Sequence, residues 1–172
     1  QKQNFLLYPS EHIIRFFNKY IEKKKTLSPK PKKLNALDFG CGIGRHIAFF
    51  EENGVRTVGY DISENAIKTA RIFLKKKKIK NISLTNSLNH KFLKKKFDII
   101  VSYGVLDAMS LINVKKSLDF IYKKLDKNSL FIVELLGNKS MKRKGIKLSK
   151  YECLVKEKHE YNTIQLYHNW KL

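Results

Sequence analysis

Apolar positions fall into two kinds of spacing along this chain. Ile13, Ile14, Phe16, Phe17, Tyr20 and Ile21 recur at intervals of three to four, the period of a helix with one buried side. Pro9 opens that segment, Ser10 suits a cap, and Glu11 falls in the first turn, where the helix dipole favours an acid. Thr26 to Lys33, TLSPKPKK, predicts a linker, since each proline disfavours helical geometry in the residue before it. Leu34, Ala36, Leu37 and Phe39 then form an apolar run of strand length. Gly40, Gly42 and Gly44 alternate after it through a turn that opens a helix at Arg45. Ile47, Ala48, Phe49 and Phe50 mark the buried side of that helix, and Gly54 supplies a left-handed cap beyond Asn53.

The alternation continues. Val55 to Tyr60 predicts a second strand, and a helix capped by Ser63 carries Ala66, Ile67, Ala70, Phe73 and Leu74 into a lysine-rich last turn. Asn81 to Thr85 reads as a third strand. Phe97 to Tyr103 reads as a fourth, apolar nearly throughout and therefore buried on both faces. Asn113 is the expected cap of a helix bearing Val114, Leu118, Ile121 and Leu125. LDKNS is the expected turn into a fifth strand, Leu130 to Leu136. Strands alternating with helices through short turns argue a doubly wound, mainly parallel sheet. Beyond Gly137 the basic stretch NKSMKRKGIKLSKYE has little periodicity, and Cys153 to Lys158 and Tyr161 to Leu172 read as further strands. A single domain over 1–172 is the expectation from length.

Charge changes the picture more than composition does. A formal charge of +21 attracts any polyanion. Only five of the 36 basic residues are arginines, however, and specific phosphate and base recognition leans on the arginine fork. The lysine runs Lys23 to Lys25, Lys75 to Lys78 and Lys94 to Lys96 fall at helix ends and loops. They read as solvated faces, with weak and non-specific nucleic-acid binding at most. No apolar run approaches membrane-spanning length, and the chain starts at Gln1 without the succession of a secretory signal. The expectation is a cytoplasmic protein with a trimmed start and no membrane insertion. Cys41 and Cys153 make neither a disulfide framework nor metal spacing, so no metal is expected.

The glycine turn carries the chemistry. Three positions without side chains let the backbone adopt positive φ and let a ligand touch the main chain, and the helix that follows offers free N–H groups to a carboxylate or other anionic end. The dinucleotide fingerprint would need glycine at residue 45, which is Arg45. A phosphate-cradling G-x-x-x-x-G-K-[ST] is absent as well. Present instead is D-x-G-x-G-x-G, from Asp38 through Gly40, Gly42 and Gly44, followed by GYDIS, Gly59 to Ser63, with Asp61 at the end of the second strand. Ser63 already suits the cap of the next helix, so Asp61 has another task.

This combination resembles the class I S-adenosylmethionine-dependent methyltransferases. The resemblance implies a Rossmann-like sheet of that type, with the chain divided into an N-terminal helix and linker (1–33), a cofactor-binding core (34–136) and an acceptor-side segment (137–172). The family usually adds a further helix and an antiparallel strand pair. This chain stops after His168, Asn169 and Trp170, so that pair is expected to be missing from the sheet, with the natural end beyond the sequence as the favoured reason. The cofactor implied is S-adenosylmethionine, its methionine part over Asp38, Gly40, Gly42, Gly44 and Arg45, and its ribose on Asp61 and Ile62. Asn86, Ser87 and Leu88 are implied for adenine, although the acid usual there is missing. Ser102, at the head of SYGVLDAM, is implied for the methionine end.

Asp107 stands where relatives often carry histidine, which makes it the leading candidate for a base or for orienting the acceptor. A helix cap or a solvent-facing acid is the plain alternative. His46 and Tyr103 are further catalytic candidates, His46 as a neutral proton acceptor at a helix start, and Tyr8 is a weaker one beside a packing role. The Asn-Pro-Pro-Tyr and Pro-Cys motifs of DNA methyltransferases are absent. The expected function is methyl transfer to an O or N of a small polar metabolite, an anionic, sugar or nucleotide-linked acceptor, with the segment from Lys139 to Lys150 as a cover. Two alternatives stand beside it: an RNA or protein methyltransferase using the basic surface, and a catalytically silent member that binds cofactor or a partner.

Overall fold

In the computed structural model, residues 7–27 and 33–135 are described, together with the backbone of three short strands beyond them. The chain divides into two compact units. The first comprises residues 1–102 and 124–132, and the second comprises 103–123 and 133–172.

The first unit opens with α1, Glu11–Leu27, whose Ile13 and Phe17 are buried while Phe16 faces solvent. The helix runs through Thr26 and Leu27, two residues that the sequence assigned to the linker. Thr26 bonds its hydroxyl back to the Glu22 carbonyl at 3.0 Å, and the proline penalty begins only at Ser28, before Pro29. Next come β1, Asn35–Phe39, α2, Arg45–Glu52, β2, Arg56–Tyr60, α3, Glu64–Lys76, β3, Ser83–Thr85, and β4, Phe97–Ser102. Gly54 ends the α2 segment at φ 77 as expected. The Ser63 hydroxyl accepts from Ala66 N at 3.3 Å, the expected cap of α3.

These strands and β5, Leu125–Val133, form a sheet in the order β3-β2-β1-β4-β5. β1 pairs in parallel with both β2 and β4, and β2 in parallel with β3. The order reverses at β1, the switch point at which open parallel sheets hold ligands beyond their carboxyl ends. β4 is buried along nearly its whole length, Asp98 near its start being the half-exposed position, which explains why it is apolar nearly throughout. Cys41, Ile47 and Ala48 share one core cluster with Ala70 and Leu74 of α3 and with Leu84 of β3, so α2 and α3 cover the same face. Phe17 of α1 meets Phe49 and Phe50 edge-on at 5.3 and 5.6 Å between ring centres, geometry that aromatic quadrupoles favour.

β5 starts earlier than the sequence suggested. LDKNS lies within the strand, with Asn128 at φ 64. Ser129 Oγ holds this irregular stretch, donating to the Phe97 carbonyl at 2.7 Å and accepting from Asp126 N at 2.9 Å.

The second unit contains a short 3₁₀ turn, Leu106–Ala108, followed by α4, Leu111–Lys124, with Val114 and Ile121 buried. Asn113 is not its cap. Val114 N already bonds the Ser110 carbonyl at 2.9 Å, so Asn113 lies inside the first turn, facing solvent. The antiparallel strands β6, Ile146–Lys147, β7, Glu152–Lys156, and β8, Ile164–His168, make a three-stranded sheet of their own. β7 and β8 fall within the two stretches expected to be strands, and β6 falls in the basic stretch where none was expected. The side chains of the expected cover, Lys139 to Lys150, lie outside the described residues.

Candidate functional site

The carboxyl edge of β1 is built by its glycines. Gly40, Gly42 and Gly44 take φ values of 82, 52 and 84°, a region that side chains disfavour. Gly40 N and Cys41 N both donate to the Tyr60 carbonyl, at 2.7 and 2.9 Å, and Gly44 N donates to the Cys41 carbonyl at 2.8 Å. The turn is thus fastened to the end of β2. A Cβ on Gly44 would press on Leu74 at 3.3 Å, whereas one on Gly42 would meet nothing within 4 Å among the described residues. Gly44 therefore serves packing, and Gly42 borders open space. α2 begins with neither a side-chain cap nor an acid in its first turn, so that end of the helix suits a ligand acceptor.

Asp61 is tied to this turn. Its Oδ2 accepts from Gly42 N and its Oδ1 from Ser63 N, both at 2.9 Å. A carboxylate has about four lone-pair sites, so half its accepting capacity is unused among the described residues. Ile62 beside it is 83% exposed.

Asp38 differs in kind. Its side chain is buried, and neither carboxylate oxygen has a hydrogen bond among the described residues. His46 Nδ1 stands 3.8 Å from Oδ1. His46 is itself buried, and its Nε2 accepts from Ser10 N at 3.5 Å, which leaves Nδ1 as the nitrogen bearing hydrogen on the side of Asp38. Ser102 closes β4, one residue beyond Val101, the register partner of Asp38. Its hydroxyl is also fully buried, with no hydrogen bond among the described residues. Burial, and secondarily the Asp38 and Asp61 charges, push the Cys41 thiol far up, so Cys41 is no nucleophile.

At the end of β3, Thr85 is buried, and its Oγ1 accepts from Ser87 N at 3.1 Å and donates to the Ser87 carbonyl at 3.3 Å. Asn86, Ser87 and Leu88 form an exposed turn on this support. Thr85 was absent from the sequence-derived site, although its place at the strand end was a usable signal. Arg45 Nη1 donates to the Tyr8 carbonyl at 3.3 Å. The Tyr8 side chain is 79% exposed, which leaves its expected packing role without support.

The first unit therefore gathers Asp38, Gly40, Gly42, Gly44, Arg45, His46, Asp61, Ile62, Asn86, Ser87, Leu88 and Ser102 at one edge. Tyr103 and Asp107 belong to the second unit. There Tyr103 is half-buried, and Asp107 is buried in the 3₁₀ turn, which packs against β8. It is not a solvent-facing acid. Among the described residues no cluster of three His, Cys, Asp or Glu is placed to hold a metal ion, and no helix is long and apolar enough to cross a membrane.

Comparison with known proteins converges on one family. A family model described as a methyltransferase domain matches residues 30–169. The ubiquinone biosynthesis O-methyltransferase of Pelagibacter ubique is 32% identical over 140 residues, covering 78% of this chain and 53% of that protein. An uncharacterized protein of Rickettsia prowazekii, RP028, is 30% identical over 112 residues, covering 62% and 45%. The chain thus spans about half the length of the curated relatives it matches. Among solved structures, PKMT2 of Rickettsia typhi in complex with AdoHcy is 29% identical with a TM-score of 0.54, over 66% of this chain and 24% of that one. An S-adenosylmethionine-dependent methyltransferase from Clostridium acetobutylicum has a TM-score of 0.65 at 13% identity, over 91% and 75%, a likeness of fold alone. With the strand order, the glycine turn and a family match across most of its length in agreement, this chain belongs to the methyltransferase domain family, of the class I S-adenosylmethionine-dependent kind.

Proposed function

We propose that this chain holds S-adenosylmethionine at the carboxyl edge of β1 and directs its methyl group to an O or N of a small polar metabolite. The observation that carries the reading is the Asp38 carboxylate, 1% exposed and, among the described residues, without a hydrogen bond at either oxygen. A buried ion with no donor is costly, and a cationic ligand beside it offsets that cost. S-adenosylmethionine carries an ammonium and a sulfonium, and a ribose diol that suits the unused lone pairs of Asp61. The open space over Gly42 suits a ligand lying on the main chain.

When bound, this cofactor supplies a methyl group already activated by its sulfonium, so the protein's part is chiefly positional. Alignment of acceptor and donor is worth roughly 7–11 kcal/mol. Asp107 is our candidate for the group that takes the acceptor proton, a contribution of about 10² to 10⁴ in rate. The name of the Pelagibacter relative, an O-methyltransferase of ubiquinone biosynthesis, supports a small-molecule oxygen acceptor. A charge of +21 favours a second reading, in which the acceptor belongs to an RNA or an acidic protein.

Calorimetry tests the cofactor site, and labelled methyl transfer tests the acceptor. Asp38→Asn should weaken S-adenosylmethionine binding about tenfold or more while raising the melting temperature of the free protein, because a buried charge that has no hydrogen bond among the described residues is removed. Unchanged affinity would overturn the assignment. Asp107→Asn should slow transfer to a small hydroxylated or amino acceptor without changing cofactor affinity. Label entering RNA or protein, with none in small acceptors, would promote the second reading.

A further inference from the structure

The edge of the sheet opposite the glycine turn holds a cavity of about 290 Å³, lined by residues that include Glu51, Arg56, Thr57, Asn81, Ser83 and Lys95. All belong to the first unit. It is small beside the roughly 300–1,000 Å³ of most ligand pockets, a size for a metabolite rather than a polymer.

We propose that this cavity is a second binding site, separate from the cofactor site, and that it takes a phosphate-bearing small molecule. Two cations, Arg56 and Lys95, line one cavity, and neither has a carboxylate within ion-pair distance among the described residues. The acids nearby are engaged. Glu51 Oε1 accepts from Thr57 N at 2.6 Å, and Asp98 Oδ2 accepts from Asn35 N at 2.9 Å. Lys95 is held by Asn35 Oδ1 at 2.6 Å, which fixes the ammonium without neutralising it. Burial, and secondarily the Arg56 charge, push the Lys95 ammonium below its usual range, a penalty that an anion between the two cations relieves.

The chemistry of the lining narrows the anion. Arg56 offers a planar fork matched to phosphate oxygens and Lys95 a point charge, while Asn81 and Ser83 add neutral donors. Glu51 has a second carboxylate oxygen that suits a hydroxyl of the same ligand and disfavours a bare polyanion. Chain topology brings Lys75 to Lys78, which close α3, to the strand-starting edge as well, a positive field that concentrates anions near the mouth.

The test is calorimetric titration of the full chain, at one ionic strength, with inorganic phosphate, ribose 5-phosphate and ribose. Saturable binding of either phosphate compound, with none for ribose, is the expected result. Tighter binding of phosphate itself assigns the cavity to the free ion, and tighter binding of the ester to a phosphorylated metabolite. Arg56→Gln and Lys95→Gln should each weaken binding about tenfold or more. Lys75→Gln combined with Lys76→Gln, which removes exposed charge outside the cavity, should change it less than about twofold. S-adenosylmethionine affinity should be the same in all variants, which separates this site from the proposed cofactor site. Absence of saturation, equal binding of ribose, or equal weakening by the Lys75 and Lys76 pair would overturn the proposal.

Discussion

Replacing Gly42 and Gly44 separately distinguishes a glycine kept for a ligand from one kept for the core. Both lie at positive φ, 52 and 84°, where alanine costs about 1–2 kcal/mol, partly offset by about 0.4–1 kcal/mol from a stiffer unfolded chain. For Gly42→Ala nothing is added, since the new methyl meets no atom of the described residues within 4 Å. The net cost is about 1 kcal/mol, or roughly 2–4 °C in Tm for a chain of this size. For Gly44→Ala the methyl also presses on Leu74 at 3.3 Å and Ala70 at 3.5 Å, and overpacking adds about 1–3 kcal/mol. Thermal melts should therefore rank Gly44→Ala well below Gly42→Ala. Calorimetry should reverse the order, because the Gly42 methyl enters the space assigned to cofactor: at least about tenfold weaker binding for Gly42→Ala, and more for Gly42→Val. A Gly42→Val protein that binds S-adenosylmethionine like wild type would refute this account of the turn.

Asp61→Ala should weaken cofactor binding by at least about 1.5 kcal/mol while lowering Tm only slightly, since water replaces its half-exposed contacts; unchanged affinity by calorimetry would exclude it from the ribose site. Gly59→Ala should cost about 1–3 kcal/mol in urea unfolding, because its Cβ would lie 2.5 Å from Ile47 and 2.6 Å from Leu84; a neutral result would mean that α2 yields easily. Burial raises the Cys41 thiol from its ordinary 9.0, so folded protein binds the more protons above that pH and stability falls as pH rises, by up to about 1.4 kcal/mol per unit. Urea melts across that range should show the decline in wild type and not in Cys41→Ala.

The parallel core was legible because its signals are local. Leu37, Phe39, Ile99, Ile100 and Val101 are buried, and such mostly apolar runs of strand length announce strands covered on both faces. Helix and strand ends were less legible where a backbone partner outweighed a side-chain preference. Ser110 begins α4 through its carbonyl, so Asn113 is not needed as a cap, and Ser129 secures an irregular strand start where turn-forming residues suggested a break. In the site, spacing identified Asp61, but its bond to Gly42 N depends on how two strand ends meet. The surroundings of Asp38 and His46 were beyond any local pattern, since Ser10, the donor to His46, lies 36 positions away.

The bond between Asp61 and Gly42 N has a consequence for how the affinity of a two-ended ligand is composed. The carboxylate assigned to the sugar also fixes the peptide assigned to the amino-acid half, so the two halves meet one mechanical unit. Free energies measured with separate fragments, adenosine and methionine, should then fail to add. A fragment that steadies the carboxylate narrows the positions open to the turn, and the other half binds a surface already ordered. Loss of this one hydrogen bond would decouple the ends, each fragment binding as though the other were absent.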